Sequence, residues 1–167
     1  MNQYDDRTKK VLHEVQKYYG SIPNTYYAAA DAGVLPRLWA LAGVTFKTGK
    51  AEHEDKRICA AVIAHTLGVQ ELLVAHLMIL KKEMGWNRQQ FEELLQENYP
   101  QRMNERQILV AQLAKSLAVN PINVDRNVLK NLEEYHGVTK EGIAELIALH
   151  GFVRYMATFV SVYDMAH

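Results

Sequence analysis

The fold is decided by residues 52–84, which read EHEDKRICAAVIAHTLGVQELLVAHLMILKKEM. The stretch is apolar around most of its helical circumference on both sides of Gly68, as in helices that are fully buried. It therefore predicts two core helices, over residues 52–67 and 69–84, with a break at the glycine. Period-2 alternation, which marks a half-buried strand, is almost absent from the chain. The sequence thus predicts an all-α fold.

Capping residues and helix breakers extend this pattern to both ends of the chain. Asp5 or Asp6 begins a first helix that Gly20 ends. Asn87 and Gln90 have the spacing of a capping box at a later helix start. The remaining predicted helices cover residues 24–32, 36–48, 87–99, 104–118, 125–136 and 139–163.

The length of 167 residues is a common size for one domain with its own core. We therefore interpret residues 1–167 as a single all-helical domain. It consists of an N-terminal helical arm (1–50), the central helices (51–99) and the C-terminal helices (100–167).

The composition argues against several classes of function. Lys+Arg and Asp+Glu both number 19, so no net field attracts nucleic acid or an anionic membrane. The chain does not begin like a secretory signal, and apolar runs such as residues 58–63 are much shorter than the roughly 20 residues that span a bilayer. Cys59 is the only cysteine, which excludes an intrachain disulfide and a thiolate zinc site. We expect a cytoplasmic protein without metal, cofactor, nucleic-acid or membrane partner.

Four short motifs occur in the order and spacing of a known family. They are GSIPN at residues 20–24, DKRI at 55–58 with Gly68 and His76 after it, MGWN at 84–87 and PINVD at 121–125. Together they resemble the carboxymuconolactone decarboxylase family, in its alkyl hydroperoxidase D-like (AhpD-like), peroxidase-related branch. The resemblance implies an AhpD-like multi-helix orthogonal bundle.

The residues that perform the family's redox chemistry are replaced in this chain. Redox-active relatives have two cysteines three positions apart at a helix N-terminus, where the helix dipole favours the thiolate. The corresponding residues here are Val69 and Leu72. The family's proton-relay glutamate aligns with Arg57, which cannot act as a base, although Glu54 takes its place if the alignment shifts by one helical turn. Of the family's redox site, only the histidine is kept, as His76. The resemblance therefore predicts no thiol peroxidase activity.

His76 and Arg57 are the remaining candidate site residues. His76 lies in an apolar helical stripe. It is either a buried neutral histidine that donates to a backbone carbonyl or carboxylate, or a proton donor and acceptor in an apolar pocket. Arg57 either forms an ion pair with a carboxylate among residues 52–55 or holds the carboxylate of a ligand. The packed histidine and the ion pair are the simpler interpretations.

Two further residues have a functional alternative beside a structural one. Cys59 lies among small apolar residues, where cysteine is usually inert packing, and a one-cysteine peroxidase is the alternative. His65 and His76 flank the break at Gly68 and could share a metal. No metal-binding spacing supports that pair, so we expect no metal site.

The last predicted helix carries more apolar surface than its own core needs. Small residues at positions 144, 148 and 151 lie beside Phe152, Tyr155, Met156, Phe159 and Tyr163. Apolar surface of this extent favours association with further copies of the chain. The resemblance implies trimers or hexamers, and packing of this helix on its own core is the alternative.

Two functions from different classes follow. In the first, the chain has lost the redox cysteines and acts as a binding or structural oligomer, with a small apolar or carboxylate ligand. In the second, which the decarboxylase branch of the family implies, it is a cysteine-independent lyase or isomerase acting on a small carboxylate or lactone. His76 would then be the acid/base and Arg57 the carboxylate anchor. Residual peroxidase activity is a third alternative.

Overall fold

The computed structural model describes the backbone of residues 3–166 and the side chains of residues 3–162. These described residues form nine α-helices and no strand, which confirms the all-α prediction. The helices are α1 (Asp6–Tyr19), α2 (Asn24–Asp31), α3 (Leu35–Lys47), α4 (His53–Thr66), α5 (Gln70–Met84), α6 (Arg88–Leu95), α7 (Glu105–Val119), α8 (Arg126–Glu134) and α9 (Lys140–Ala166).

The helices α4 and α5 lie at the centre of the fold, as residues 52–84 predict. Every residue from 55 to 64 is buried, because α4 packs against α5, α7 and α9 at the same time. Gly68, in the short connection between α4 and α5, has a φ of 72°. This left-handed conformation is strained for most other residues, which explains why the apolar pattern breaks at a glycine.

Capping side chains set most helix ends where the sequence predicts them. Asp5 accepts a hydrogen bond from the backbone N–H of Thr8 at 2.7 Å. Asn87 and Asn104 each form a capping box with a glutamine three residues later. Asp125 caps α8 by accepting from the backbone N–H of Asn127 at 2.8 Å. These local bonds satisfy backbone donors that have no partner inside the helix.

The predicted helix over residues 87–99 is wrong at its C-terminal end. The helix α6 ends at Leu95, and Glu97 and Tyr99 beyond it have positive φ angles of 62° and 37°. Such angles are uncommon for residues with a Cβ atom. The residue types before Pro100 therefore gave no signal for this early end.

Helix α9 contains a longer apolar segment than the sequence analysis expected. Residues Lys140–Val162 are long and apolar enough, by length and composition, to cross a membrane. In the structure this helix packs against α2, α4 and α7, and 39% of its most apolar window is buried. A core helix with one exposed face passes the same test, so the segment is only weak support for a membrane span.

An ion pair between buried Lys56 and partly exposed Glu145 fixes the connection between α3 and α4 onto α9. The ammonium of Lys56, which is buried, lies 3.0 Å from Glu145 Oε2 and also donates to the carbonyl of Thr48. Glu145 accepts two more hydrogen bonds, from the backbone N–H groups of Lys50 at 2.7 Å and Ala51 at 3.0 Å. The C-terminal end of α3, which contributes to the candidate site, is held by this network.

Candidate functional site

The structure brings Arg57 of α4 and His76 of α5 together inside the core. Both side chains are buried, with Arg57 only 1% exposed. Arg57 Nη1 lies 3.4 Å from His76 Nδ1. A guanidinium has donors but no acceptor, so Nδ1 must be the acceptor of this contact. A neutral His76 ring therefore carries its proton on Nε2.

The imidazole of His76 is neutral at physiological pH. Burial and, second, the positive charge of Arg57 lower the pKa of His76 to about 3. Its Nε2 atom has no hydrogen-bond partner among the described residues, yet it is not fully enclosed. The site thus has one free N–H donor, fixed in place by the contact on the opposite ring nitrogen.

Arg57 is held by aromatic side chains rather than by a carboxylate. Its Nη2 donates to the hydroxyl of Tyr18 at 2.9 Å, and its guanidinium lies over the ring of Phe46, 4.0 Å from the centroid. Its Nε is buried without a partner. Burial raises the pKa of Tyr18 to about 12, against the lowering effect of Arg57, so the phenol stays uncharged. No ion pair within residues 3–162 includes Arg57.

The ion pair predicted for Arg57 with residues 52–55 is therefore wrong. Glu54 lies 3.1 Å from Arg102 Nη2, and Asp55 lies 2.9 Å from Arg106 Nε. Both arginines come from the region around the start of α7, far along the chain. Their approach was not visible in the local spacing of α4, and they leave Arg57 without a direct ion pair.

Glu54 does not take over the role of the relay glutamate. Its Oε1 also accepts from Trp86 Nε1 at 2.6 Å, and no hydrogen bond joins it to His76. The indole and the guanidinium of Arg102 hold it near the start of α6. The contacts of Glu54 therefore give no support to an alignment shifted by one helical turn.

A small cavity of about 20 Å³ adjoins His76. This is the space that about one water molecule occupies. Arg57 does not line it but lies behind two residues that do, His76 and Phe46. The cavity therefore combines apolar walls, one N–H donor and a positive charge one side chain away. Its lining consists of Tyr19, Pro23, Tyr26, Phe46, Leu72, Ala75, His76, Phe152, Val153 and Met156.

Val69 and Leu72, the residues that the resemblance places at the redox positions, are hydrocarbon side chains at the start of α5. Leu72 lines the cavity next to His76, and Val69 is buried at the N-cap of α5. Cys59 is fully buried and does not line this cavity. Burial and, second, the charge of Asp55 raise the pKa of the Cys59 thiol to about 12. A thiol in this environment is protonated at neutral pH.

The two histidines that flank Gly68 differ in their surroundings. His65 is exposed on α4, whereas His76 is buried on α5. No group of three or more His, Cys, Asp or Glu side chains within residues 3–162 could hold a metal ion.

Solved structures share this fold over almost the whole chain. An uncharacterized peroxidase-related protein of Silicibacter sp. TM1040 superposes with a TM-score of 0.81 at 19% identity, covering 96% of this chain and 84% of that one. The alkylhydroperoxidase AhpD core of a peroxidase-related protein from Ralstonia eutropha JMP134 gives 0.82 at 17% identity, covering 95% and 84%. The class that this architecture defines is therefore the AhpD-like helical fold.

A third similar structure is the debrominase Bmp8 in its apo form, with a TM-score of 0.79 at 14% identity. It covers 95% of this chain and 84% of its own. No protein-family model and no curated protein sequence matches the chain. The comparisons thus confirm the fold that the four motifs implied.

Proposed function

We propose that this chain binds a small carboxylate ligand beside His76 and has no thiol peroxidase activity. Leu72 and Val69 supply no sulfur at the N-terminal end of α5, and the thiol of Cys59 is buried with a raised pKa. What remains at this end of α5 is a cavity with a hydrogen-bond donor and a nearby positive charge.

The buried charge of Arg57 is the observation on which the carboxylate site rests. A buried ion without a partner costs several kcal/mol. Arg57 has no direct carboxylate partner: it contacts the ring of Phe46 and the hydroxyl of Tyr18, which in turn interacts with Glu83. An anion in the cavity would supply the missing negative charge from the far side of the His76 ring. One carboxylate oxygen would accept from Nε2, which is the donor that Arg57 fixes through Nδ1. Arg57 acts here as a positioning residue.

The test compares an anion with a neutral molecule of the same shape. Acetate and acetamide are titrated against the protein while amide chemical shifts are recorded. We expect acetate alone to shift resonances around the cavity, and we expect Arg57→Met and His76→Phe to abolish the effect. Arg88→Met is the matched control, because Arg88 is an exposed arginine paired with Glu92. Equal responses to acetate and acetamide, or wild-type binding by Arg57→Met, would overturn the proposal.

The absence of sulfur chemistry has a separate test. Hydrogen peroxide consumption with a dithiol donor is measured for the wild type and for Cys59→Ala. We expect both proteins to match the rate without protein, because the only thiol is fully buried. Consumption above that background by the wild type would contradict this half of the proposal.

A lyase or isomerase that uses His76 as acid/base fits the geometry less well. An efficient general base has a pKa near the working pH, whereas burial and Arg57 lower that of His76 to about 3. The neutral ring is better suited to donating a hydrogen bond than to removing a proton. Turnover of a lactone or keto acid that is lost in His76→Ala would favour the lyase instead.

We further propose that the chain forms a homo-oligomer, a trimer or a hexamer, through the outer face of α9. Ile147, Tyr155 and Val162 are exposed on this helix. Tyr155 and Val162 also line an almost wholly apolar groove of about 400 Å³ together with Ala28 of α2. Apolar surface of this kind is usually covered by a partner. The side chain of Tyr163, which the sequence assigned to the same surface, lies outside the described residues.

A further inference from the structure

An open groove on the surface borders the cavity beside His76. It has a volume of about 330 Å³ and lies between the α1–α2 connection and α5. Tyr19, Pro23 and Ala75 line both the groove and the cavity. Only this one layer of side chains therefore stands between the two spaces, and Ala75 is its smallest member.

The side of the groove that α5 forms is polar at the start of the helix, at Gln70 and Glu71, and apolar further along it. Val74 and Met78 lie one helical turn apart and line the groove, and they are 43% and 44% exposed. Glu71 is a carboxylate in the lining, and its Oε1 accepts from the N–H of Thr25 at 2.9 Å and from its hydroxyl at 2.6 Å. Its charge is therefore directed at the first turn of α2. The groove offers an apolar chain a surface that the protein itself leaves uncovered.

The surface next to this groove is basic. An adjoining depression shares Tyr19 and Met78 with the groove and is also lined by Lys17, Lys81 and Lys82. No aspartate or glutamate is among its lining residues. Lysines at an entrance raise the local concentration of anions without selecting among them, so they favour a ligand with a negative charge.

From these features we propose that the ligand is an amphipathic monocarboxylate. Its head group lies in the cavity at His76, and its apolar chain passes Ala75 and lies on Val74 and Met78. The inference rests on the proposed carboxylate site, and it adds the part of the ligand that the cavity cannot hold. A space for about one water accommodates one carboxylate oxygen at His76 Nε2, so the rest of the ligand has to extend through the shared wall.

The test is a series of straight-chain carboxylates of increasing length, namely acetate, butanoate, hexanoate and octanoate. Dissociation constants are measured by chemical-shift titration. We expect affinity to rise about two- to fourfold per methylene, as apolar carbon leaves water. In the double variant Val74→Ser/Met78→Ser we expect unchanged acetate binding and a loss of most of this gain. Val119→Ser, which also replaces an exposed valine, is the matched control.

The outcomes separate the two proposals. If acetate binds but affinity is independent of chain length, the tail groove is wrong and the head-group site stands. The same holds if Val74→Ser/Met78→Ser keeps the full gain with length. If no carboxylate binds at all, the proposed function fails and the inference fails with it. Both substitutions change exposed residues, so loss of folding is not expected to obscure the result.

Discussion

At the residue scale, Arg57 combines complete burial with the lack of a counter-ion. A buried charge without an ion-pair partner costs several kcal/mol of desolvation, and an apolar side chain of similar length does not have this cost. We therefore expect Arg57→Met to keep or raise the free energy of unfolding without ligand, although it abolishes carboxylate binding. Tyr18, which is half-buried, can exchange the lost hydrogen bond for water. Urea denaturation measures the change, and a loss of about 3 kcal/mol or more would show that the charge is compensated in the empty protein.

The titration of His76 gives the second prediction at this scale. The pKa is about 3 in the folded chain and 6.5 in its ordinary state, so the unfolded chain takes up the proton first as the pH falls. The stability contributed by the neutral ring is complete above pH 6.5 and decreases toward pH 3, by up to about 1.4 kcal/mol per pH unit. His76→Phe should lack this slope. Unfolding free energies at pH 7 and pH 5 for both proteins provide the measurement.

Asp55 titrates in the same range with the opposite sign. Burial raises its pKa to about 6 despite the lowering effect of Arg106, so protonation between pH 6 and 3.8 favours the folded chain. This contribution is present in the wild type and in His76→Phe alike. The difference between the two proteins therefore isolates His76, and parallel pH curves would contradict its lowered pKa.

The sequence named Arg57 and His76 as candidates, which the structure brings together, but it did not show the side chains around them. Arg57 and His76 were candidates because of their alignment and their apolar stripe. Tyr18 and Phe46 were missed, since they reach Arg57 from α1 and α3. Helical spacing orders the residues of one helix, whereas it does not tell which helix packs across from them. For the same reason the sequence could not show that Arg106 takes the carboxylate of Asp55.

At the scale of the elements, the Lys56–Glu145 pair connects α4 to α9 and holds the end of α3. Breaking a buried ion pair by removing one partner costs about 3–5 kcal/mol. Glu145 is partly exposed, so we expect Glu145→Gln to lose stability at or below the lower end of this range, because Lys56 is left buried with its charge. Glu133→Gln breaks a pair with Lys140 on the surface and should cost less than about 1 kcal/mol. Equal midpoints of thermal unfolding for the two variants would contradict this role of Glu145.

The elements themselves were largely predictable because their ends are determined locally. Asn104 and Asp125 cap their helices with their own side chains, and Gly68 and Gly85 supply left-handed turns that other residues avoid. The end of α6 was not predictable, because its positive φ angles fall on residues that rarely adopt them. The connection held by Glu145 was also missed, since that contact joins residues 94 and 95 positions apart.

At the scale of the whole molecule, the outer face of α9 is the surface through which we expect copies to associate. A charge placed on an apolar interface has to be desolvated, so Tyr155→Glu should shift the wild-type oligomer to smaller species. Ile122→Glu is the control, because Ile122 is exposed and lies outside the α2–α9 groove. Light scattering after size-exclusion chromatography gives the masses. A wild type that is monomeric, or a Tyr155→Glu protein with the wild-type mass, would contradict the proposed interface.

The most direct measurement on the binding site is nitrogen NMR of the histidine side chains at neutral pH. The chain has 7 histidines, and the signals of His76 are those missing from His76→Phe. We expect a neutral ring protonated on Nε2, and we expect acetate to move the Nε2 signal in the wild type but not in a sample of Arg57→Met. A ring protonated on Nδ1, or a signal that acetate leaves unchanged, would contradict the carboxylate site.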